Sequence, residues 1–272
     1  MREGGRDRSR RRLLAVLAAG ALSLTAGCSL DNDEAERLAV RPAASPVVHG
    51  GPPVPPPRQP GAARIPMPSG VVSAIPGEGG NIALTIDDGT SADVVAAYIR
   101  FAKDSGARFT FFVTACYSSW TVNKPMLQPL VDRGQIQLGN HTWDHPDLTR
   151  LSDKDVAAQF ERTKTLLRNN FGVDGTPFYR PPYGYRDARI DALAADHGYT
   201  VPVMWYGTLG DHRIITEQEL VSNARKYFRP QSIVIGHANQ RPVTRVYDQL
   251  LQIIRDRRLT MVTLDDVFER RR

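Results

Sequence analysis

Two aspartates, Asp87 and Asp88, stand in tandem before Gly89, and two histidines, His141 and His145, stand four residues apart. Two imidazoles and one carboxylate suit a catalytic Zn²⁺ site that keeps one position open for water. Such an ion polarises a carbonyl and lowers the pKa of bound water. No Glu follows His141, so the His-Glu-x-x-His arrangement of many metalloproteases is absent and a general base must come from elsewhere. The carboxylate beside a ligand, Asp87 or Asp88, is the economical candidate. A departing amine or alkoxide needs a proton, and His237 is a suitable general acid. Taken singly these features are bland: Asp-Asp-Gly is more often a turn or a helix cap, and a lone His after an apolar strand is commonly a satisfied, half-buried side chain. Their joint placement changes the odds.

That placement follows from the texture of the chain beyond Asn81, where short apolar runs alternate with longer amphipathic segments. The runs predict strands over residues 82–86, 108–113, 136–139, 177–179, 201–205, 233–235 and 260–263. Between them, helices are predicted over 92–103, 124–133, 153–169, 187–195, 217–228 and 244–255, with Ser152 as the N-cap of the third. Strand then helix, repeated about six times, predicts an α/β fold built from βα units on a parallel sheet. No Gly-x-Gly-x-x-Gly follows the first strand, so a dinucleotide fold lacks its fingerprint. The expected architecture is a distorted (β/α) barrel of about seven parallel strands. In such barrels reactive groups collect at the C-terminal ends of the strands. Asp87-Asp88-Gly89, the stretch from His141 to His145, Arg180-Pro181-Pro182-Tyr183-Gly184, Asp211 and His237 all fall beside or after predicted strands. The remaining histidines, His49, His197 and His212, need no role.

The front of the chain reads differently. Six arginines between Arg2 and Arg12 precede an apolar run up to Gly27 and then Cys28, an order expected of a secretory signal over residues 1–28. Thr25-Ala26-Gly27 before Cys28 resembles a bacterial lipoprotein cleavage box, so a lipid anchor at Cys28 is expected, and Arg10-Arg11 fits twin-arginine export. Residues 29–76, with Gly50-Gly51-Pro52-Pro53-Val54-Pro55-Pro56-Pro57, read as a proline-rich, disordered tether. The catalytic domain is expected over 77–272. The expected location is the outer face of the cytoplasmic membrane, or secretion. Of the net charge of +6, residues 1–28 carry +4 (six Arg against Glu3 and Asp7), leaving +2, no footprint for nucleic acid. With Cys28 lipidated or removed only Cys116 remains, so no intramolecular disulfide forms. Cys116, just past the second strand, reads as a packed small residue.

With these residues in hand, the chain resembles the polysaccharide deacetylase (NodB homology) family from about Asn81 to Phe268. Thr85-Ile86-Asp87-Asp88-Gly89 is similar to the family's Thr-Phe-Asp-Asp-Gly, which implies Asp87 as general base and Asp88 as metal ligand. His141-Thr142-Trp143-Asp144-His145 matches the second motif and implies His141 and His145 as the other ligands. Arg180-Pro181-Pro182-Tyr183-Gly184 matches the third, so that Arg180 would orient the base and the Tyr183 amide would help hold the oxyanion. Ile235-Gly236-His237 resembles the last motif, with His237 as general acid, and Thr110-Phe111-Phe112 matches the second strand. The family's Asp-Trp pair is Asp211-His212 here; Asp211 is carried over as the support of the catalytic His, and the Trp is missing.

The resemblance implies a divalent metal, Zn²⁺ or Co²⁺, and an acetylated polysaccharide or oligosaccharide, with an N-acetylglucosamine-type polymer favoured. Tyr117, Trp120, Trp143, Tyr183 and Tyr206 lie near the loops that would face sugar. Two readings compete: a surface carbohydrate-binding protein that has lost catalysis, and a hydrolase of small amides on the same scaffold.

Overall fold

The computed structural model describes residues 64–269. The expected signal, the lipid-anchor position Cys28 and most of the expected tether lie outside the described residues. Strand β1 (Asn81–Asp88) is buried along its length, as a run apolar on both faces requires at the centre of a parallel sheet. It is followed by α1 (Ala92–Ser105), β2 (Phe109–Val113), the short α2 (Ser119–Val122), α3 (Lys124–Asp132) and β3 (Ile136–Asn140). Then come α4 (Asp153–Phe171), β4 (Phe178–Tyr179), α5 (Ala188–Asp196), β5 (Val201–Pro202), β6 (Gly207–Thr208) and α6 (Glu217–Tyr227). The chain continues through β7 (Ser232–His237), α7 (Tyr247–Asp256), β8 (Thr260–Met261) and α8 (Leu264–Val267). Seven strands pair side by side in the order β5-β4-β3-β2-β1-β7-β6, all parallel, and β8 pairs with the start of β1. The row curls into a half-barrel, the expected fold.

Helix ends carry the capping chemistry that their residues predict. The Ser152 hydroxyl accepts from Asp155 N–H at the start of α4, and Gly172 closes that helix in the left-handed conformation (φ 70°). Thr216 and Glu219 form a capping box on α6. Three elements were not predicted. α2 and α8 have four residues each, too short for a helical period. The expected strand over 201–205 is cut to β5, and β6 follows after a bend. A Cβ at Gly207 would lie 2.4 Å from the Tyr227 side chain, so a glycine is required where α6 crosses β6.

Alternation along the strands sorts the two faces. Ile82, Leu84 and Ile86 join Phe109, Phe111 and Val234 in the core under the helices. Ala83 faces the other way, into a second core with Phe112, Phe178, Val201, Val203 and Ile233. Gly139 makes room there, since a Cβ at that position would sit 2.7 Å from the Phe112 ring. Residues 87, 141, 180 and 237 share the parity of this inner face, so they emerge at its rim.

Residues 65–75, at the end of the stretch expected as a tether, pack against the sheet. Met67, Val72 and Ile75 are buried in the inner core. Val72 N–H donates to Pro202 O (3.0 Å), Met204 N–H to Val72 O (2.7 Å), and Ile75 N–H to Gln231 O (2.8 Å). This segment thereby bridges from the β5 end of the row to the start of β7. Its apolar residues are spaced irregularly among Pro, Ser and Gly, which is why no period marks it in the sequence.

Candidate metal and acid–base site

The loop after β1 turns sharply: Asp88 has φ 69° and Gly89 φ 96°, and a Cβ on Gly89 would fall 2.4 Å from the buried Trp120. Trp120 is anchored by its indole N–H, which donates to Thr114 O at 3.0 Å. Trp120 is therefore a core residue, fully buried, and is not a surface for sugar. After β3 the chain again enters the left-handed region, at Thr142 (φ 70°) and His145 (φ 62°), and Tyr183 does so after β4 (φ 59°). Four of the six non-glycine residues with positive φ among the described residues thus surround one site, where strained backbone is retained for geometry.

The second of these turns is held from α4. Gln159 Oε1 accepts from the amides of Trp143 (2.8 Å) and Asp144 (3.2 Å), while its Nε2 donates to Asp144 Oδ1 (2.7 Å). Asn140 Oδ1 accepts Thr142 N–H (2.8 Å), and Thr142 Oγ1 accepts His145 N–H (3.1 Å).

These turns bring Asp88, His141 and His145 together, with one ligand atom from each lying within 4.8 Å of the others. His141 Nδ1 lies 2.7 Å from Arg180 O. A carbonyl only accepts, so Nδ1 carries a proton, and Nε2 is the ring atom left to face a cation. That Nε2 lies 3.3 Å from Asp88 Oδ1, and His145 Nε2 lies 3.4 Å from the same oxygen. Asp88 Oδ1 is buried and has no hydrogen-bond partner. Two imidazole nitrogens converging on a buried, unpartnered carboxylate oxygen fit a divalent cation, and one oxygen with two imidazole nitrogens suits Zn²⁺. Burial raises the Asp88 pKa, but the adjoining imidazoles, His141 first and then His237 and His145, outweigh it, so the carboxylate is held well below its usual range. Burial and the neighbouring His141 lower His145, against the pull of Asp88 and Asp87, which keeps its lone pair free.

Asp87 faces the same space from the inner core. Its Oδ1 accepts from Arg180 Nη1 at 2.6 Å, and both side chains are essentially inaccessible (2% and 0%). Arg180 also donates to Val203 O (2.9 Å) and lies over the Phe112 ring (4.3 Å). The ion pair is thus fully dressed with partners, as a buried charge must be. Asp87 Oδ2 is 3.6 Å from His141 Nε2, so the two adjacent aspartates differ in role: Asp88 lies nearest the imidazoles and Asp87 is paired with Arg180.

Across the β1–β7 ladder, His237 is the register partner of Asp87. Its Nδ1 lies 3.0 Å from Asp211 Oδ1, and its backbone N–H donates to Asp211 Oδ2 at 3.1 Å. Burial lowers the His237 pKa, but the hydrogen bond and charge of Asp211, with the charges of Asp87 and Asp88, raise it above its ordinary value. Asp211 thus lies against His237, three residues beyond β6, the element that was not predicted. His212 is exposed, its ring 6.0 Å from that of His237.

Every residue singled out for the site lies here: Asp87, Asp88, His141, His145, Arg180, Tyr183, Asp211 and His237. Tyr183 is 60% exposed, its ring edge-on to His145 at 4.6 Å. Tyr206 is exposed, whereas Tyr117 and Trp143 are partly packed on the core. Cys116 is exposed rather than packed, because the chain has left β2 and runs as a rim loop whose amide donates to Trp143 O (2.8 Å). Sequence reasoning missed Gln159 and Asn239. Asn239 Nδ2 donates to Asp88 Oδ2 at 2.6 Å; it lies two residues beyond His237 in the bend that follows β7, where no strand period marks it in the sequence.

Residues 74–202 match the polysaccharide deacetylase family model. The peptidoglycan-N-acetylglucosamine deacetylase PgdA of Listeria monocytogenes is 28% identical over 192 residues, covering 69% of this chain and 38% of that protein. Chitin deacetylase 1 of Cryptococcus neoformans is 37% identical over 123 residues, covering 45% of this chain and 25% of its own length. The chain thus spans well under half of either relative. Among solved structures, the Bc1960 peptidoglycan N-acetylglucosamine deacetylase superposes with a TM-score of 0.66 at 21% identity, covering 74% of this chain and 92% of that one, a likeness of fold. Among the described residues no helix is long and apolar enough to cross a membrane.

Proposed function

Starting from the polysaccharide deacetylase match over residues 74–202, we propose that this protein is a metal-dependent hydrolase that removes acetyl groups from an N-acetylglucosamine polymer. The observation that carries the reading is the unpartnered Asp88 Oδ1 facing two imidazole nitrogens, with the Asp87–Arg180 pair and the His237–Asp211 pair beside it. A divalent cation held by Asp88, His141 and His145, Zn²⁺ in the first instance and Co²⁺ as a substitute, would polarise the acetyl carbonyl and acidify water.

The protein's own groups do the rest. Asp87, aimed by Arg180, takes a proton from the water that adds to the carbonyl carbon. The Tyr183 amide donates to the oxyanion that develops. His237, held by Asp211 and kept protonated by that carboxylate, gives its proton to the sugar nitrogen as the carbon–nitrogen bond breaks. Acetate and a free amine result. Nitrogen-linked acetyl groups are favoured because relatives named as chitin and peptidoglycan deacetylases share this stretch of chain.

Acetate release is measured with Zn²⁺-loaded and chelated protein on chitooligosaccharides, peptidoglycan and acetylated xylan. Chelator-sensitive release from the first or second is expected. No release from any of the three with Zn²⁺ confirmed bound would overturn the reading in favour of a binding protein or a small-amide hydrolase. The proposal extends to the cell surface: lipidation of Cys28 would hold the domain there. Cys28→Ser should then shift the protein from the membrane to the soluble fraction, and unchanged membrane association would refute the anchor.

A further inference from the structure

Asn239 ties the metal-ligand loop to the strand that carries His237. Its amide orientation is determined: the oxygen accepts Thr90 N–H at 3.1 Å and Thr90 Oγ1 at 2.9 Å, and a backbone N–H can only donate. The nitrogen therefore faces Asp88 and donates to Oδ2 at 2.6 Å. Asp88 is left with one oxygen engaged and the other, Oδ1, buried, unpartnered and 3.3–3.4 Å from the two imidazole nitrogens.

We propose that Asn239 is a positioning residue for the cation: by occupying Asp88 Oδ2 it makes Asp88 a one-oxygen ligand and aims Oδ1 at the space shared with His141 and His145. The inference rests on the metal reading above. Without the Asn239 amide, the carboxylate is free to rotate about χ2, and its Oδ2 loses its donor. Partners of ligating groups commonly govern metal affinity by 10–100-fold. The backbone frame does not need the side chain, because Ala238 N–H donates to Asp87 O (3.0 Å) and Ser91 N–H to Ala238 O (3.3 Å). Loss of the amide should therefore be felt by the ion and not by the fold.

The test is Zn²⁺ affinity of the full chain, by competition with a chromophoric chelator, alongside the unfolding midpoint of the chelated protein. Asn239→Ala should weaken Zn²⁺ binding by about 10–100-fold, with the metal-free midpoint close to that of the wild type. The visible absorption of the Co²⁺-loaded variant should also shift, which a merely structural role would not produce. Asn239→Asp keeps the size but removes the donor, so it should lose affinity at least as much. It also serves should the alanine variant fail to fold. Thr90→Ala keeps the backbone N–H that orients the amide and should bind within a few-fold of wild type. Wild-type affinity in both Asn239 variants would overturn the positioning role while leaving the metal reading intact. A wild-type chain that binds no Zn²⁺ would overturn both.

Discussion

At the residue scale, the proposed mechanism asks for a base in Asp87 and an acid in His237. The structure separates the two by giving each its own partner: Arg180 stands against Asp87, and Asp211 stands against His237. The direction of the His237 shift has a consequence that can be measured. Its pKa lies above 6.5 in the folded protein, so the acid form persists above that pH, and kcat/KM should fall as pH rises through the raised value. Asp211→Asn removes the charge that supports the imidazolium, so the alkaline limb of the kcat/KM profile should move to lower pH and the maximum should drop. An alkaline limb that stays in place would assign it to another group. The same linkage acts on stability: the His237–Asp211 contribution is fully present below pH 6.5 and is lost as pH rises through the raised pKa.

At the scale of elements, the helix behind the site matters as much as the strands beneath it. Along α4, Val156, Gln159, Phe160, Thr163 and Leu167 form the buried face, and Gln159 is the member of that face that reaches the turn between His141 and His145. Gln159→Leu preserves volume and helix period but leaves two loop amides without their acceptor. A fully buried amide so stranded costs about 1–3 kcal/mol, and these two are only part-buried, so a loss of about 1 kcal/mol is expected in denaturant unfolding, together with weaker Zn²⁺ binding. A variant with wild-type stability and wild-type Zn²⁺ affinity would show that the turn holds itself. Gly89 and Gly139 act at the same scale: each gives up a side chain so that an aromatic ring, Trp120 or Phe112, can press on the backbone next to a site residue.

For the whole molecule, the open row of seven strands leaves a gap between its ends that residues 65–75 help to cover. Met67, Val72 and Ile75 are three buried side chains there, each stabilising by about 1.5–3 kcal/mol. Their sum is comparable with the net stability of an ordinary domain. A chain beginning at residue 77 should therefore unfold well below one beginning at residue 64, or fail to accumulate as soluble protein, when the two are compared by thermal unfolding. Equal midpoints would show that the segment is only laid on the surface.

Asp87, Asp88, His141, His145, Arg180 and His237 were legible in the sequence because each belongs to a short contiguous motif beside a strand, and strand alternation is a local property that assigns a side chain to a face. The parallel fold was legible for the same reason, from the period of apolar residues and the length of the segments between them. What remained hidden depends on contacts between residues far apart in the chain. Asn239 reaches Asp88 across 151 positions, and Gln159 reaches the His145 turn from a helix face that reads as ordinary core. β6 depends on Gly207 fitting under Tyr227, and residues 65–75 take their hydrogen bonds from residues far along the chain. By itself the sequence determined which groups could do chemistry. Tertiary structure alone decided which oxygen of Asp88 is left free to meet an ion, because that depends on what the rest of the chain donates to the other.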